Sequence, residues 1–147
     1  NGGSWSNISN TTSTYTYNNL NTTTTYRALN QNEICPALYS NDVTITVIPP
    51  VTPANAGTDQ ILCNVTTVTL NANTPTSGTG TWTVASGAPS TVTFTNPNDP
   101  NTTVSGLVAG SYQFIWTISN GMCDPSTDAV EIHIVPPTIA GNLVAST

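Results

Sequence analysis

The 147-residue chain has one basic residue, Arg27, against seven acidic ones, and its net charge of -6 excludes the basic surface that nucleic-acid binding needs. The same charge disfavours an anionic membrane surface, and no apolar run reaches the roughly 18 residues of a membrane span. Charged residues are only 5% of the chain. Thr, Asn and Ser replace them, and because Thr favours strands and Asn favours turns, this composition predicts an all-β chain of many short strands.

The opening segment of the chain corresponds to a later one. Residues 43–50 match residues 130–137 position for position, 87 residues further along the chain. Residues 20–26 likewise parallel residues 107–112. Self-similarity at a fixed period is the signature of tandem repeats. The chain is therefore expected to contain parts of successive repeats.

These correspondences set the expected boundaries of the repeats. Residues 1–50 are predicted to be the C-terminal part of one repeat, residues 51–137 a complete repeat, and residues 138–147 the start of the next. The segment Gly3-Ser-Trp5 parallels Gly80-Thr-Trp82, with a shorter following loop in the first copy. The first residues carry no export signal, so we expect the chain to begin after any such signal.

Period-2 alternation marks the first half of the complete repeat. Apolar residues alternate there with polar neighbours, as in half-buried strands; they are Val68, Leu70 and Ala72, Trp82 with Val84, and Val92 with Phe94. Turn residues separate these runs; they lie at 78–80, 87–89 and 96–100.

The second half of the repeat shows the same period in longer segments. One face of the segment 111–119 is apolar; it is formed by Tyr112, Phe114, Trp116 and Ile118. The last strand is predicted to place Val130, Ile132 and Ile134 inward, with Glu131 and His133 toward solvent. About seven strands in fewer than 90 residues predict a β-sandwich with antiparallel Greek-key topology.

Three segments carry a resemblance to a known family: Ala56-Gly-Thr-Asp-Gln-Ile-Leu-Cys63, Tyr112-Gln-Phe-Ile-Trp-Thr-Ile-Ser-Asn-Gly121, and Asp128-Ala-Val-Glu-Ile-His-Ile134. They resemble the immunoglobulin-like and PKD-like repeats of giant surface proteins, which abound in gliding Bacteroidota. The W-x-F-G-D-G motif of typical PKD units is absent, and residues 80–87 occupy its place. The resemblance implies a part in long adhesins or filaments, commonly exported by the type IX secretion system and including gliding-motility adhesins.

The residues needed for catalysis or for a metal site are sparse. His133, the one His of the chain, is expected on the solvent face of a strand, and the acidic residues are scattered, so no catalytic residue is predicted. The Cys are too widely spaced for zinc. Calcium binding remains an alternative, because four acidic residues lie near loops or unit ends and could supply oxygen ligands; they are Asp59, Asp99, Asp124 and Asp128. We predict no cofactor and no metal.

Three aromatic side chains admit two interpretations. Trp5, Tyr15 and Tyr17 could stack on a sugar if they were exposed. Trp5, however, aligns with Trp82, and Tyr15 and Tyr17 have the spacing of one strand face, which favours packing in a core. Five N-x-[ST] sequons accord with the abundance of Asn and Thr; they begin at Asn7, Asn10, Asn21, Asn64 and Asn101.

The three cysteines favour an oxidising, extracellular setting. Cys63 precedes the strand that holds Val68, and Cys123 follows the strand that ends at Ile118, so both lie near strand ends. We predict a Cys63–Cys123 disulfide, with buried free thiols as the alternative. Cys35 aligns with Cys123, and its expected partner is the Cys63 equivalent of its own repeat.

Two functions are compatible with these features. The first is a structural repeat segment of a long secreted cell-surface adhesin or extracellular filament, whose partners are neighbouring repeats and other copies in a filament. The second is a carbohydrate-binding module that recognises a surface glycan. An enzyme is not predicted.

Overall fold

The structure is a computed structural model that describes residues 4–9, 12–31 and 34–138. The chain divides into two compact units, Asn1–Ile48 and Pro49–Thr147. Every regular element of the described residues is a strand, which confirms the predicted all-β class. No helix able to cross a membrane occurs in this part of the chain. The predicted third repeat, apart from residue 138, lies outside the described residues.

In the first unit, the residues that the structure describes form two short antiparallel strand pairs. Strand β1 (Thr24–Tyr26) pairs with β4 (Val43–Ile45), and β2 (Leu29–Asn30) pairs with β3 (Leu38–Tyr39). No described side chain of this unit is fully buried. The unit therefore presents its aromatic residues at the surface rather than in a core.

The described residues of the second unit form seven strands, the number predicted for a sandwich; they are β5 (Gln60–Cys63), β6 (Thr67–Thr69), β7 (Thr79–Val84), β8 (Thr93–Phe94), β9 (Thr103–Ser105), β10 (Gly110–Ser119) and β11 (Ser126–Val135). One sheet has the order β5-β11-β10-β7 and the other the order β6-β9-β8. All neighbours are antiparallel except β5 and β11, which run parallel. The expectation of a fully antiparallel topology is wrong at this edge.

The core lies between the two sheets and confirms the predicted faces. The inward side chains of β10 and β11 are at most 2% exposed; they are Tyr112, Phe114, Trp116, Ile118, Val130, Ile132 and Ile134. Val68, Leu70 and Ala72 face them from the opposite side and are also buried. Val84 is the exception, with 37% of its surface exposed. It is the last residue of the edge strand β7, where little covers it.

Gly80 belongs to β7, although the sequence predicts a turn there. It pairs with Ile118 on β10, close to Trp116. A Cβ at this position would come 2.0 Å from Cζ2 of Trp116. Trp116 in turn packs on Trp82, with ring centres 5.1 Å apart. The strand therefore needs glycine here because the indole ring of Trp116 occupies the space of a side chain.

Tyr112 anchors the start of β10 through its hydroxyl group. The backbone N–H of Val108 donates to this oxygen at 2.9 Å, and the oxygen lies 2.7 Å from Oγ of Ser90. Ser90 Oγ donates to the carbonyl of Gly106 at 2.7 Å, so Tyr112 must be the donor to Ser90. A buried tyrosine that bonds the backbone a few residues upstream is the tyrosine corner of immunoglobulin-like sandwiches.

The strand pairings in the two units correct one position of the alignment between the two repeats. Val43 of β4 pairs with Tyr26, whereas Val130 of β11 pairs with Phe114. If Val43 corresponds to Val130, then Tyr26 corresponds to Phe114. The predicted correspondence of Tyr26 with Tyr112, two residues earlier, is therefore wrong. The error arises because a strand keeps its face when it is shifted by two residues.

Candidate functional site

The chain enters the second unit at the end where β10 turns into β11, which we call the entry pole. Nδ2 of Asn120 donates to the carbonyl oxygen of Pro49 at 3.1 Å, and Sγ of Cys123 lies 3.7 Å from the same oxygen. Oδ1 of Asn120 accepts from the backbone N–H groups of Met122 and Cys123. One side chain thus fixes both the turn and the entering chain.

From the entry pole the chain follows β11 along its whole length. The N–H of Ala54 donates to Oγ of Ser126 at 2.9 Å, and the N–H of Ala56 donates to Oδ2 of Asp128 at 2.8 Å. Further along, Oδ1 of Asp59 accepts from the N–H of Glu131 at 2.8 Å. We call these three contacts the side-chain clips. They hold the segment in place before the backbone pairing of β5 with β11 begins.

The last strand of the sandwich, β11, ends at the opposite end, which we call the exit pole. Here Cys63 is in register with Val135, and the N–H of Asn64 donates to the Val135 carbonyl at 2.9 Å. Residues 136–137 are both proline and follow immediately. β11 has 10 residues, which at roughly 3.3 Å per residue separates the two poles by about 30 Å. Entry and exit therefore lie at opposite ends of the sandwich.

This geometry corrects the predicted Cys63–Cys123 disulfide. Cys63 lies at the exit pole and Cys123 at the entry pole, and neither forms a disulfide. A disulfide needs Cα atoms within about 7 Å, far less than the length of β11. The alternative, buried free thiols, is also wrong, since Cys63 is exposed and Cys123 is half-buried. Both lie near strand ends as predicted, but the parallel pairing of β5 puts them at different ends.

The acids considered as calcium ligands are not brought together. Asp59 and Asp128 form clips, and Oδ1 of Asp99 accepts from the N–H of Asn101 within its own turn at 2.9 Å. Among the described residues, no three His, Cys, Asp or Glu side chains are grouped so that they could hold a metal ion. The carboxylates of these three acids thus serve as acceptors for backbone N–H groups.

His133 occupies the exposed strand position predicted for it. Its Nδ1 lies 2.8 Å from Oγ of Ser111, the residue opposite it on β10. Glu131 precedes it by two residues and also faces solvent. A shallow, open groove nearby is lined by Ser111, Gln113 and Glu131. Nucleophilic catalysis by Ser and His uses a third group that orients the His ring, and no side chain of the described residues takes that position beside His133.

Three aromatic residues of the first unit are exposed, although the sequence predicts that they pack in a core. Trp5, Tyr15 and Tyr17 each have 44–48% of their surface exposed. Tyr15 and Tyr17 both contact Tyr26, with ring centres 6.0 Å apart in each case. The core prediction is wrong for these three side chains, because the described part of this unit encloses no buried interior.

Arg27 contacts two aromatic rings of this unit, an arrangement that sequence reasoning missed. Its guanidinium carbon lies 3.8 Å from the ring centre of Trp5 and 4.2 Å from that of Tyr39. Contacts of this kind are cation–π interactions. The sequence offered one indication of these contacts: Arg27 is the single basic residue of the chain, and aromatic residues lie on both sides of it in the sequence. We call Trp5, Tyr15, Tyr17, Arg27 and Tyr39 the aromatic surface.

The seven-stranded sandwich and its tyrosine corner define an immunoglobulin-like domain. Residues 56–134, more than half of the chain, match the family described as K319L-like, PKD domain, and the chain belongs to this family. Residues 1–49 match a second family, a domain of unknown function designated DUF8696. The predicted PKD-like, immunoglobulin-like class is thereby confirmed.

A solved structure supports the same assignment. The solution structure of the PKD domain from KIAA 1837 protein is similar, with a TM-score of 0.50 and 26% identity, over 60% of this chain and 91% of that one. No curated protein matches the sequence. PKD domains are typically non-catalytic and commonly extracellular.

Proposed function

We propose that this chain is a structural repeat segment of a long secreted cell-surface adhesin or extracellular filament. The proposed source is the class of gliding-motility adhesins that Bacteroidota export through the type IX secretion system. Residues 1–50 would then end one repeat, residues 51–137 form a complete one, and residues 138–147 begin the next. Membership of the PKD family and the opposite positions of the entry and exit poles support this function.

The observation that carries the proposal is the parallel course of the entering segment and β11. Tension along a chain of repeats pulls the entry pole and the exit pole apart. Because both segments run from entry to exit, this pull slides one along the other. The three side-chain clips and the β5–β11 backbone bonds are then loaded together rather than one after another. Such an arrangement suits a domain that transmits force between neighbours.

The junctions between repeats fit the same role. The segments at 48–50 and 135–137 each end in two prolines. Proline fixes φ and restricts the residue before it, so these junctions favour extended backbone. An extended, stiff junction carries the next repeat outward and limits bending. Because only 5% of the residues are charged, the stiffness of the chain should depend little on salt concentration.

Single-molecule force spectroscopy on the full chain tests this function. Residues 51–137 extend to about 290–310 Å at roughly 3.3–3.6 Å per residue, so unfolding should release about 260–280 Å in one step beyond the roughly 30 Å that separates the folded poles. Asp59→Ala should lower the unfolding force because it removes one clip. Asp124→Ala removes the same charge from the turn at the entry pole and should leave the force unchanged. Equal forces for the two variants would contradict a mechanical role for the clips.

The location of the native protein provides a second test. Antibodies raised against this chain should label extended structures outside intact cells in electron microscopy. Deletion of the type IX export machinery in the source organism should abolish the label. Labelling confined to the cell interior would refute the surface role while leaving the mechanical properties of the domain unaffected.

The aromatic surface supports a second candidate function, the binding of a surface glycan. Exposed aromatic rings offer flat apolar faces on which sugar rings can stack, and three of these rings are about half exposed. A glycan array probed with the full chain tests this function. Loss of a positive signal on Trp5→Ala would support it, and a chain that retains no glycan would favour the structural role alone.

A further inference from the structure

We propose that consecutive repeats are joined by a disulfide across each proline junction, between Cys63 of one repeat and the Cys123 equivalent of the repeat that follows. This inference rests on the proposed tandem organisation. It differs from the bond predicted from the sequence, which would have joined the two cysteines of the same repeat. The register of β5 and the contact of Cys123 with Pro49 carry it.

Cys63 occupies the exit side of a junction. It ends β5, and its Cα atom is in register with that of Val135 on β11. Neighbouring strands lie about 4.8 Å apart, so Cys63 is one strand spacing from the residue that precedes the two prolines. Cys63 is exposed. Its thiol is therefore accessible at the point where the chain passes to the next repeat.

Cys123 occupies the entry side of a junction. Its Sγ lies 3.7 Å from the carbonyl oxygen of Pro49, the first proline of the segment 48–50. Asn120 donates to the same oxygen and accepts from the N–H of Cys123, so the turn holds the thiol beside the entering chain. This contact would recur in every repeat that keeps the turn.

The sequence match places the two cysteines at the same junction. Residues 43–50 correspond position for position to residues 130–137, so Pro49 corresponds to Pro136. In the repeat that follows, the equivalent of Cys123 would then lie beside the carbonyl of Pro136. Val135 and Pro136 are adjacent, with Cα atoms about 3.8 Å apart. The Cα atom of Cys63 thus lies within about 9 Å of that of Pro136, the residue whose carbonyl oxygen the thiol of the following repeat would contact. A bond between the two cysteines requires that their side chains and the junction turn toward each other.

The chemistry requires an oxidant, for which we name a disulfide such as oxidised glutathione. The thiolate of one cysteine attacks a sulfur of the oxidant and forms a mixed disulfide, releasing one reduced glutathione. The second cysteine thiolate then displaces the other glutathione and forms the bond between repeats. Two protein thiols lose two hydrogens, and one glutathione disulfide becomes two thiols.

A duplicated chain tests the inference. Residues 51–137 are placed twice in succession within the full sequence, with Cys35 changed to Ser. In the forward variant the first copy keeps only Cys63 and the second copy only Cys123. In the reverse variant the first copy keeps only Cys123 and the second only Cys63. Both variants are treated with oxidised glutathione, alkylated, and analysed by intact mass and non-reducing peptide mapping.

The forward variant should lose two hydrogens and escape alkylation, with a cross-linked peptide pair containing Cys63 and Cys123. The reverse variant should form no such bond, because its cysteines lie at the far poles of the two copies. Free thiols in a folded forward variant, or equal cross-linking in both variants, would overturn the proposal. Circular dichroism establishes that each variant has folded.

Native material provides the second measurement if a variant does not fold. The surface protein is alkylated on intact cells before extraction and then mapped without reduction. Cys63 should be recovered bonded to a cysteine peptide from the following repeat, and Cys123 to one from the preceding repeat. Full alkylation of both, or a bond between Cys63 and Cys123 of the same repeat, would overturn the inference. Failure here would leave the mechanical and surface-labelling results unaffected, so the disulfide and the proposed function can fail separately.

Discussion

Gly80→Ala is the smallest change that should disrupt the core of the second unit. A Cβ at this position would lie 2.0 Å from Cζ2, 2.3 Å from Cη2 and 2.8 Å from Cε2 of Trp116. The φ angle of Gly80 is not in the positive range, so alanine meets no backbone penalty there. The whole effect of the substitution comes from collision with one indole ring.

The size of the effect follows from the packing of that ring. Carbon atoms in contact sit about 3.5–4.0 Å apart, so Trp116 must retreat by about 1.5 Å. It is 0% exposed and lies against Trp82, so it has nowhere to move without displacing other core residues. Overpacking of this kind costs about 1–3 kcal/mol, and we expect the upper end. For a domain of this size the melting temperature should fall by about 10–20 °C.

Thermal unfolding of the full chain, followed by near-ultraviolet circular dichroism, measures this change. Thr79→Ala, an exposed position on the same strand, is the matched control and should cost less than about 1 kcal/mol. Trp116→Phe should partly relieve Gly80→Ala, because the smaller ring makes room and carries no unpartnered indole N–H. A Gly80→Ala protein that melts within about 2 °C of the wild type would refute this packing.

Three further predictions concern the tyrosine corner, the edge strand and the cysteines. Tyr112→Phe should lower the free energy of unfolding by about 1–3 kcal/mol in denaturant titrations, because it removes the acceptor of the Val108 N–H and the donor to Ser90 Oγ. Leu62→Pro should cost about 3 kcal/mol or more, since its N–H faces β11, whereas Ile61→Pro, whose N–H faces the open edge, should cost clearly less. Similar losses for both would show that β5 is paired differently. Cys63→Ser should leave the melting temperature of this chain unchanged, and a large decrease would indicate a Cys63–Cys123 bond within the unit.

The site was predicted only in part, and the reason is the same for each failure. The carboxylates of Asp59 and Asp128 were recognised as possible calcium ligands. In the structure they accept hydrogen bonds from backbone N–H groups 72 residues away in the chain. The rings of Tyr15 and Tyr17 were recognised as a strand-spaced set, but spacing does not tell whether a second layer covers them. Residue type predicts what a side chain can do, whereas its partner depends on long-range packing.

The sequence by itself determined the class of the fold and the faces of its strands. Alternation along residues 111–119 and 130–134 required that Phe114 and Ile132 point inward, because successive side chains of a strand lie on opposite faces. The tertiary structure alone decided the direction of β5 beside β11, and with it the pole at which each cysteine lies. A period of two residues is the same in a parallel and an antiparallel pair, so nothing local distinguishes them. Strand direction is fixed only when distant segments bond, and this pairing places Cys63 and Cys123 about 30 Å apart.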